Sequence, residues 1–359
     1  MTHRDRSKIK LSRRKILAGL GTVGVASASA GVGTTTFLSD REDLPNNTVT
    51  AGSEHLKVDW QEHYADMLGD EAEIDGVRTV ESPEEVDENE VGLPYPGSPA
   101  VAVDDTSLTE FMNATALEAF PDPDDDGIQG GEGFEYDPCI HGADTPEDLD
   151  PTPEGALRTH NTDTVEDGEP KPVVAVEDVK PGDFGELTLS FHVCEDDSYV
   201  WMTGELVDES ENGMTEPERN DPDESGYTDS EDENPGELAD AVQTAVWYNT
   251  DCDNIQDVGE DELIFEGSLS QTLSLLSQAD GIPLDGDLST SYDEVVETDG
   301  EFSPNEGDDP NRDCFASDET NCVALAWWIP EDYGDEIQTD SVRFDVGFYS
   351  EQCSANDGS

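Results

Sequence analysis

Asp122-Pro-Asp-Asp-Asp-Gly127 sets carboxylates at alternate positions ahead of a glycine, the pattern with which a calcium loop begins. Asp122, Asp124 and Asp126 could converge on one hard cation, and the glycine permits the turn. The twelfth position is Gly133, where such a loop carries a bidentate Glu, so a solvated acidic loop is the competing reading. A second candidate is Asp251, Asp253 and Asp257, with Asn249, Asn254 and Glu260 around them, directly after a strand pattern. Other chemistry finds few residues. Catalytic zinc wants three protein ligands, often His. The chain has six His (His3, His55, His63, His141, His160 and His192), no H-E-x-x-H, and His55 and His63 eight apart on a strand-like stretch. No G-x-S-x-G elbow or phosphate-binding loop occurs, and no G-x-G-x-x-G precedes a helix pattern. The expectation is no catalytic residue and no cofactor other than a candidate calcium ion. Trp327-Trp328 reads as a strand pair with one ring buried and the other at the surface.

Cys139, Cys194, Cys252, Cys314, Cys322 and Cys353 make an even set with no C-x-x-C pair. Disulfides fit this better than structural zinc, with 15 pairings open. Asn46-Asn-Thr48 and Asn113-Ala-Thr115 are glycosylation sequons.

Charge sets the solvent and the compartment. The chain carries 89 acids and 16 bases, and seven of the bases (Arg4, Arg6, Lys8, Lys10, Arg13, Arg14 and Lys15) fall in the first fifteen residues. Beyond residue 36 the acids outnumber the bases by 79, and the only Lys are Lys57, Lys171 and Lys180. Such a polyanion repels itself unless salt screens it, and the Debye length shrinks to about 3 Å at 1 M salt. Molar salt is therefore the expected solvent, with disorder the competing explanation of the composition. Nucleic acid is excluded as a partner by like charge. Arg13-Arg14 ahead of an uncharged, Ala/Gly/Ser/Thr-rich run to Thr36 reads as a twin-arginine export signal, cut after Ala30 or just before Phe37. No later run reaches the ~20 apolar residues of a spanning helix, so no membrane attachment is expected after cleavage.

The elements that must position these residues are mostly strands. Leu56, Val58 and Trp60 alternate with polar neighbours, and so do Leu187, Leu189, Phe191 and Val193. Further strand patterns cover Tyr199–Leu206, Val242–Tyr248, Leu263 with Phe265, Val323–Ile329 and Val342–Phe348. Leu269, Leu273 and Leu276 stand at helical spacing, with Ser268 to cap the start and Gly281 to end it. The fold expected is mainly β: an antiparallel jelly roll or β-sandwich with one short helix and long acidic loop insertions. By segment, 1–36 is the export signal and 37–60 an N-terminal strand segment. Residues 61–175 read as an acidic Pro/Gly-rich insertion with a helical turn near Leu108–Phe120. The rest of the sandwich spans 176–353, and 354–359 is a tail.

Several motifs resemble the TasA/camelysin family. They are Phe37-Leu-Ser-Asp40 after the leader, Asn47–Gly52 before the strand Leu56–Val58, and the turn Lys180-Pro-Gly-Asp183 before Leu187–Val193. A halophilic-archaeal branch is similar in Trp247-Tyr248, Asp251–Asn254, Phe265–Leu269, Arg312–Phe315, Trp327–Pro330, Glu336–Gln338 and Phe344–Gln352. The likeness covers about residues 12–60 and 176–356 and leaves out the insertion. It implies a jelly roll, a leader cut by a dedicated signal peptidase, and secreted subunits that form fibres by donating a strand, here Thr36–Val49. The function expected is thus a secreted, non-enzymatic cell-surface or biofilm-matrix protein whose partner is itself. The alternatives are an extracellular calcium- or ligand-binding module without fibres, and a camelysin-like secreted metallopeptidase.

Overall fold

The computed structural model describes residues 56–66, 74–122, 127–130, 139, 179–194, 196–211, 236–278, 281–288, 312–317, 319–331, 333–334 and 337–353. The export signal with Arg13 and Arg14, the proposed donor strand, Asn46, Asp124 and Asp126 lie outside them.

The described chain is mainly β, and its sheets are antiparallel. Six strands form the largest sheet: β1 (Leu56–Ala65), β5 (Ala116–Phe120), β6 (Phe184–Val193), β8 (Gln243–Tyr248), β9 (Leu263–Ser268) and β11 (Thr320–Trp328). Their order is β5-β1-β6-β11-β8-β9. A second sheet holds β7 (Ser198–Ser210) between β10 (Ile282–Leu284) and β12 (Ser341–Gln352). The third is small: β4 (Val101–Asp104) lies between β2 (Val77–Thr79) and β3 (Glu90–Leu93).

Alternation decides how the sheets stack, because successive strand residues face opposite sides. On β6, Leu187, Leu189, Phe191 and Val193 point into the main core. There they meet Val200 and Met202 of β7, Ile282 and Leu284 of β10, and Val342, Phe344 and Val346 of β12. Phe191 packs edge-on against Phe315 at 4.9 Å, a favoured aromatic geometry. Two antiparallel sheets thus pack face to face, in the manner of a β-sandwich. The other side of the large sheet is covered as well. Ala245, Trp247, Ala324, Ala326 and Trp328 share a second core with Leu93, Val101 and Val103 of the small sheet and with Phe111 of α1 (Leu108–Thr115). Tyr95 stacks on Trp247 and Trp328 at 6.4 and 6.0 Å.

The half-buried reading of β6 is corrected as well. All ten of its residues are buried, so Glu186, Thr188, Ser190 and His192 lie inside too. The picture of 61–175 changes too. Four short strands and a helix stand within that stretch, and β5 is an edge strand of the main sheet, paired with β1. Three helices are described: α1, which stands where a helical turn is expected near Leu108–Phe120, then α2 (Leu238–Ala241) and α3 (Leu269–Leu276). The predicted helix is α3, where Ser268 accepts from Gln271 N while the Gln271 side chain accepts from Ser268 N, a reciprocal capping box. Gly281 follows at φ +98, and a Cβ there would stand 2.3 Å from the Met202 carbonyl oxygen. Only glycine fits that left-handed, crowded position.

The six cysteines pair as Cys139–Cys194, Cys252–Cys322 and Cys314–Cys353. The bridges close spans of 55, 70 and 39 residues, and each removes about 4 kcal/mol of loop-closure entropy from the unfolded chain. Among the described residues no helix is long and apolar enough to cross a membrane.

Candidate functional site

The three-stranded sheet is built around a long strand that its neighbours cover unequally. On one side β12 pairs with β7 from Ser198 to Ser210. On the other, β10 pairs only with Val200, Trp201 and Met202. From Thr203 onward, β7 has no second strand partner among the described residues, and the outer side of β12 has none along its length. The register shifts between Arg343 and Phe344, which sets Val207 outside the pairing as a bulge. Leu206 and Val207 are 41% and 39% exposed, two of the three large apolar side chains so exposed among the described residues. A stretch without a second strand partner among the described residues, beside exposed aliphatic side chains, is a template for a further strand. Glu205, Asp208, Glu209, Arg343 and Asp345 lie around it, charges of the kind that keep edges from pairing indiscriminately.

The K-P-G-D turn has a structural task. Lys180 Nζ reaches Asp183 at 3.0 Å and Asp66 at 2.9 Å, and Tyr64 donates to Asp183 at 2.8 Å. Gly182 N donates to Ile329 O, and Ile329 N donates to Asp183 O. The turn therefore ties the ends of β1, β6 and β11 together.

The loop Asn249–Asp261 holds the second group of candidate ligands. Asp261 accepts from Thr250 N, Thr250 Oγ1 and Asp257 N, at 3.0, 2.8 and 3.1 Å. Asp253 accepts from Ile255 N at 2.9 Å, and Asn249 Oδ1 accepts from Asn254 N at 3.2 Å. Cys252 and Asn254 take positive φ, and the Cys252–Cys322 bridge pins the loop to β11. Lost hydration, then the neighbouring Asp251 carboxylate, push Asp253 up to about 6, and Asp257 is raised for the same reasons. Asp251 and Asp253 are thus crowded together. Asp251, Asp253 and Asp257 nevertheless do not bring three oxygens within 4.8 Å of one another, and Asp253 serves as a turn cap. In the first candidate loop, Asp122 accepts from Gly127 N at 2.9 Å, and Gly127 takes φ +84, as a tight turn requires.

One carboxylate group escaped the sequence. Glu211 after β7, Glu237 before α2 and Asp340 before β12 bring one oxygen each within 4.8 Å of the others. Asp340 also accepts from Glu237 N and Leu238 N, capping α2. Their wide separation along the chain leaves no local pattern to find. The two described histidines do not gather. His63 and His192 stand six positions apart along the β1–β6 register, roughly 20 Å at strand rise. His63 approaches Thr115 at 3.1 Å, and His192 approaches Asp59 at 2.7 Å. Of the tryptophan pair, Trp328 is buried and Trp327 half-buried against Tyr64. In the second sequon Asn113 is exposed on α1, while Thr115 is buried.

These features define a disulfide-bonded, multilayered antiparallel β protein with an incompletely paired sheet. Compared with known proteins, the chain matches no family model, no curated protein and no solved structure at a significant level. The likeness to the TasA/camelysin family rests on the sequence motifs alone.

Proposed function

We propose that this chain is an exported structural protein of a cell surface or extracellular matrix, which joins copies of itself by β-strand exchange. The observation that carries the reading is the uneven cover of β7: thirteen residues long, paired by β10 at three positions and bordered beyond them by exposed Leu206 and Val207. A strand from a second copy would extend the sheet along that stretch of β7, beside an apolar strip. Three disulfides agree with an oxidising, extracellular setting. The basic, apolar start of the chain agrees with export. The donor in this reading is Thr36–Val49, whose post-leader aromatic and Asn47–Gly52 motif resemble the family's first strand. Electron microscopy of the protein in molar salt, with and without residues 37–50, tests it. Fibres or linear oligomers that vanish on deletion are the expected result. Monomers in both samples would remove the proposal.

A further inference from the structure

We propose that Asp59, His192 and Thr320 form a hydroxyl-activating relay, which makes Thr320 a nucleophile toward carboxylic esters. The proposal is independent of strand exchange. Three adjacent strands build the group. His192 on β6 stands directly opposite Lys57 of β1 and Thr320 of β11, and Asp59 lies one diagonal step away on the same face. His192 Nε2 is 2.7 Å from Asp59 Oδ2, and His192 Nδ1 is 3.3 Å from Thr320 Oγ1. Gln129 Nε2 donates to the other Asp59 oxygen and to Phe120 O, which fixes the carboxylate.

The order of the groups matters. A carboxylate at Nε2 holds that nitrogen protonated and leaves Nδ1 with its lone pair toward the hydroxyl. Burial is graded in the same order. Asp59 and His192 are 4% and 7% exposed, whereas Thr320 is open to solvent. The acid and base are thus held in place and shielded, while the hydroxyl can meet a substrate. A buried His–Asp pair with a purely structural task needs no hydroxyl at its second nitrogen.

In the step inferred, Thr320 Oγ bonds to the ester carbonyl carbon and its proton passes to His192 Nδ1. The carbonyl–alkoxy bond then breaks, and the departing alkoxide takes that proton. Water hydrolyses the acyl-threonine by the same path and restores the hydroxyl. Asp59 is a positioning residue here, since it acts through His192.

The test treats the whole chain in molar salt with diisopropyl fluorophosphate, whose fluoride Thr320 would displace. A parallel arm follows hydrolysis of 4-nitrophenyl acetate. The expected result is a single adduct on the peptide holding Thr320, retained in Thr320→Ser and lost in Thr320→Val. In His192→Gln both rates fall by about a hundredfold, the range a general base contributes. In Asp59→Asn they fall too, with circular dichroism unchanged. Thr320 is exposed, so Thr320→Val keeps the fold and remains decisive if a change at His192 does not. No adduct, an adduct elsewhere, or equal hydrolysis by Thr320→Val would overturn the assignment and leave a structural ion pair.

Discussion

Glu186 sits inside the molecule on the central strand of the large sheet, with one carboxylate oxygen, Oε1, outside any hydrogen bond. Its other oxygen accepts from Asn254 at 3.4 Å, and Thr188 beside it donates to the Asn254 side-chain oxygen. Burial first, and the Asp253 carboxylate second, hold its pKa well above the ordinary value. Asp253, pushed up to about 6, leans the same way. Such acids bind protons more tightly in the folded state than in the unfolded one, so their effect on stability runs opposite to that of salt-bridged carboxylates. Their contribution is full below the unfolded value of roughly 4 and is lost as pH rises through the folded value. Urea midpoints measured in molar salt should therefore fall as pH is raised from about 4 toward 8. Glu186→Gln, which cannot ionise, should flatten that decline. Parallel curves for the two proteins would show that Glu186 does not titrate in this way.

Among the elements, α3 states its own boundaries most clearly. Leucines at helical spacing, a Ser/Gln capping box and a left-handed Gly281 all appear in the sequence, and the helix forms between them. Ser268→Ala removes the hydroxyl from Gln271 N and should cost about 1 kcal/mol, read as a lower thermal midpoint with an unchanged β spectrum. The long strands β6, β7, β11 and β12 were equally legible, because alternation reports one buried face directly. What alternation cannot report is a second cover. Thr188, Ser190 and His192 look like a solvated row, yet all three are buried, Thr188 against Asn254 and His192 against Asp59. Strands β2, β3 and β4 were missed because three or four residues carry too little periodicity among acidic neighbours. The turn-capping work of Asp253 and Asp261 was hidden in the same way. A D-x-D pattern reads identically whether its carboxylates hold an ion or backbone N–H groups. The uneven cover of β7 depends on pairing between segments some 80 residues apart, and Leu206-Val207 is its one local trace, a break in the alternation.

The whole molecule is a polyanion folded around apolar layers. Its formal charge is −73 in all, and it is more negative once the basic start is discounted. Few cations offset this. Lys180 joins Asp66 and Asp183, Arg78 joins Glu90, and Arg312 lies buried over the rings of Tyr199 and Trp201. With 16 bases against 89 acids in the whole sequence, dissolved salt must supply the screening. Circular dichroism should keep its β signal in molar salt and lose it below 0.1 M, where the Debye length is about 10 Å. A spectrum unchanged across that range would mean that the surface charges are compensated locally. Assembly at the β7–β12 sheet is the claim on which the functional reading stands. Sedimentation velocity in molar salt, comparing the protein with a Leu206→Lys/Val207→Lys variant over a range of concentrations, measures it most directly. The account predicts concentration-dependent association that the paired lysines abolish while the β spectrum stays the same. Association of equal strength in both proteins, or none in either, would contradict it.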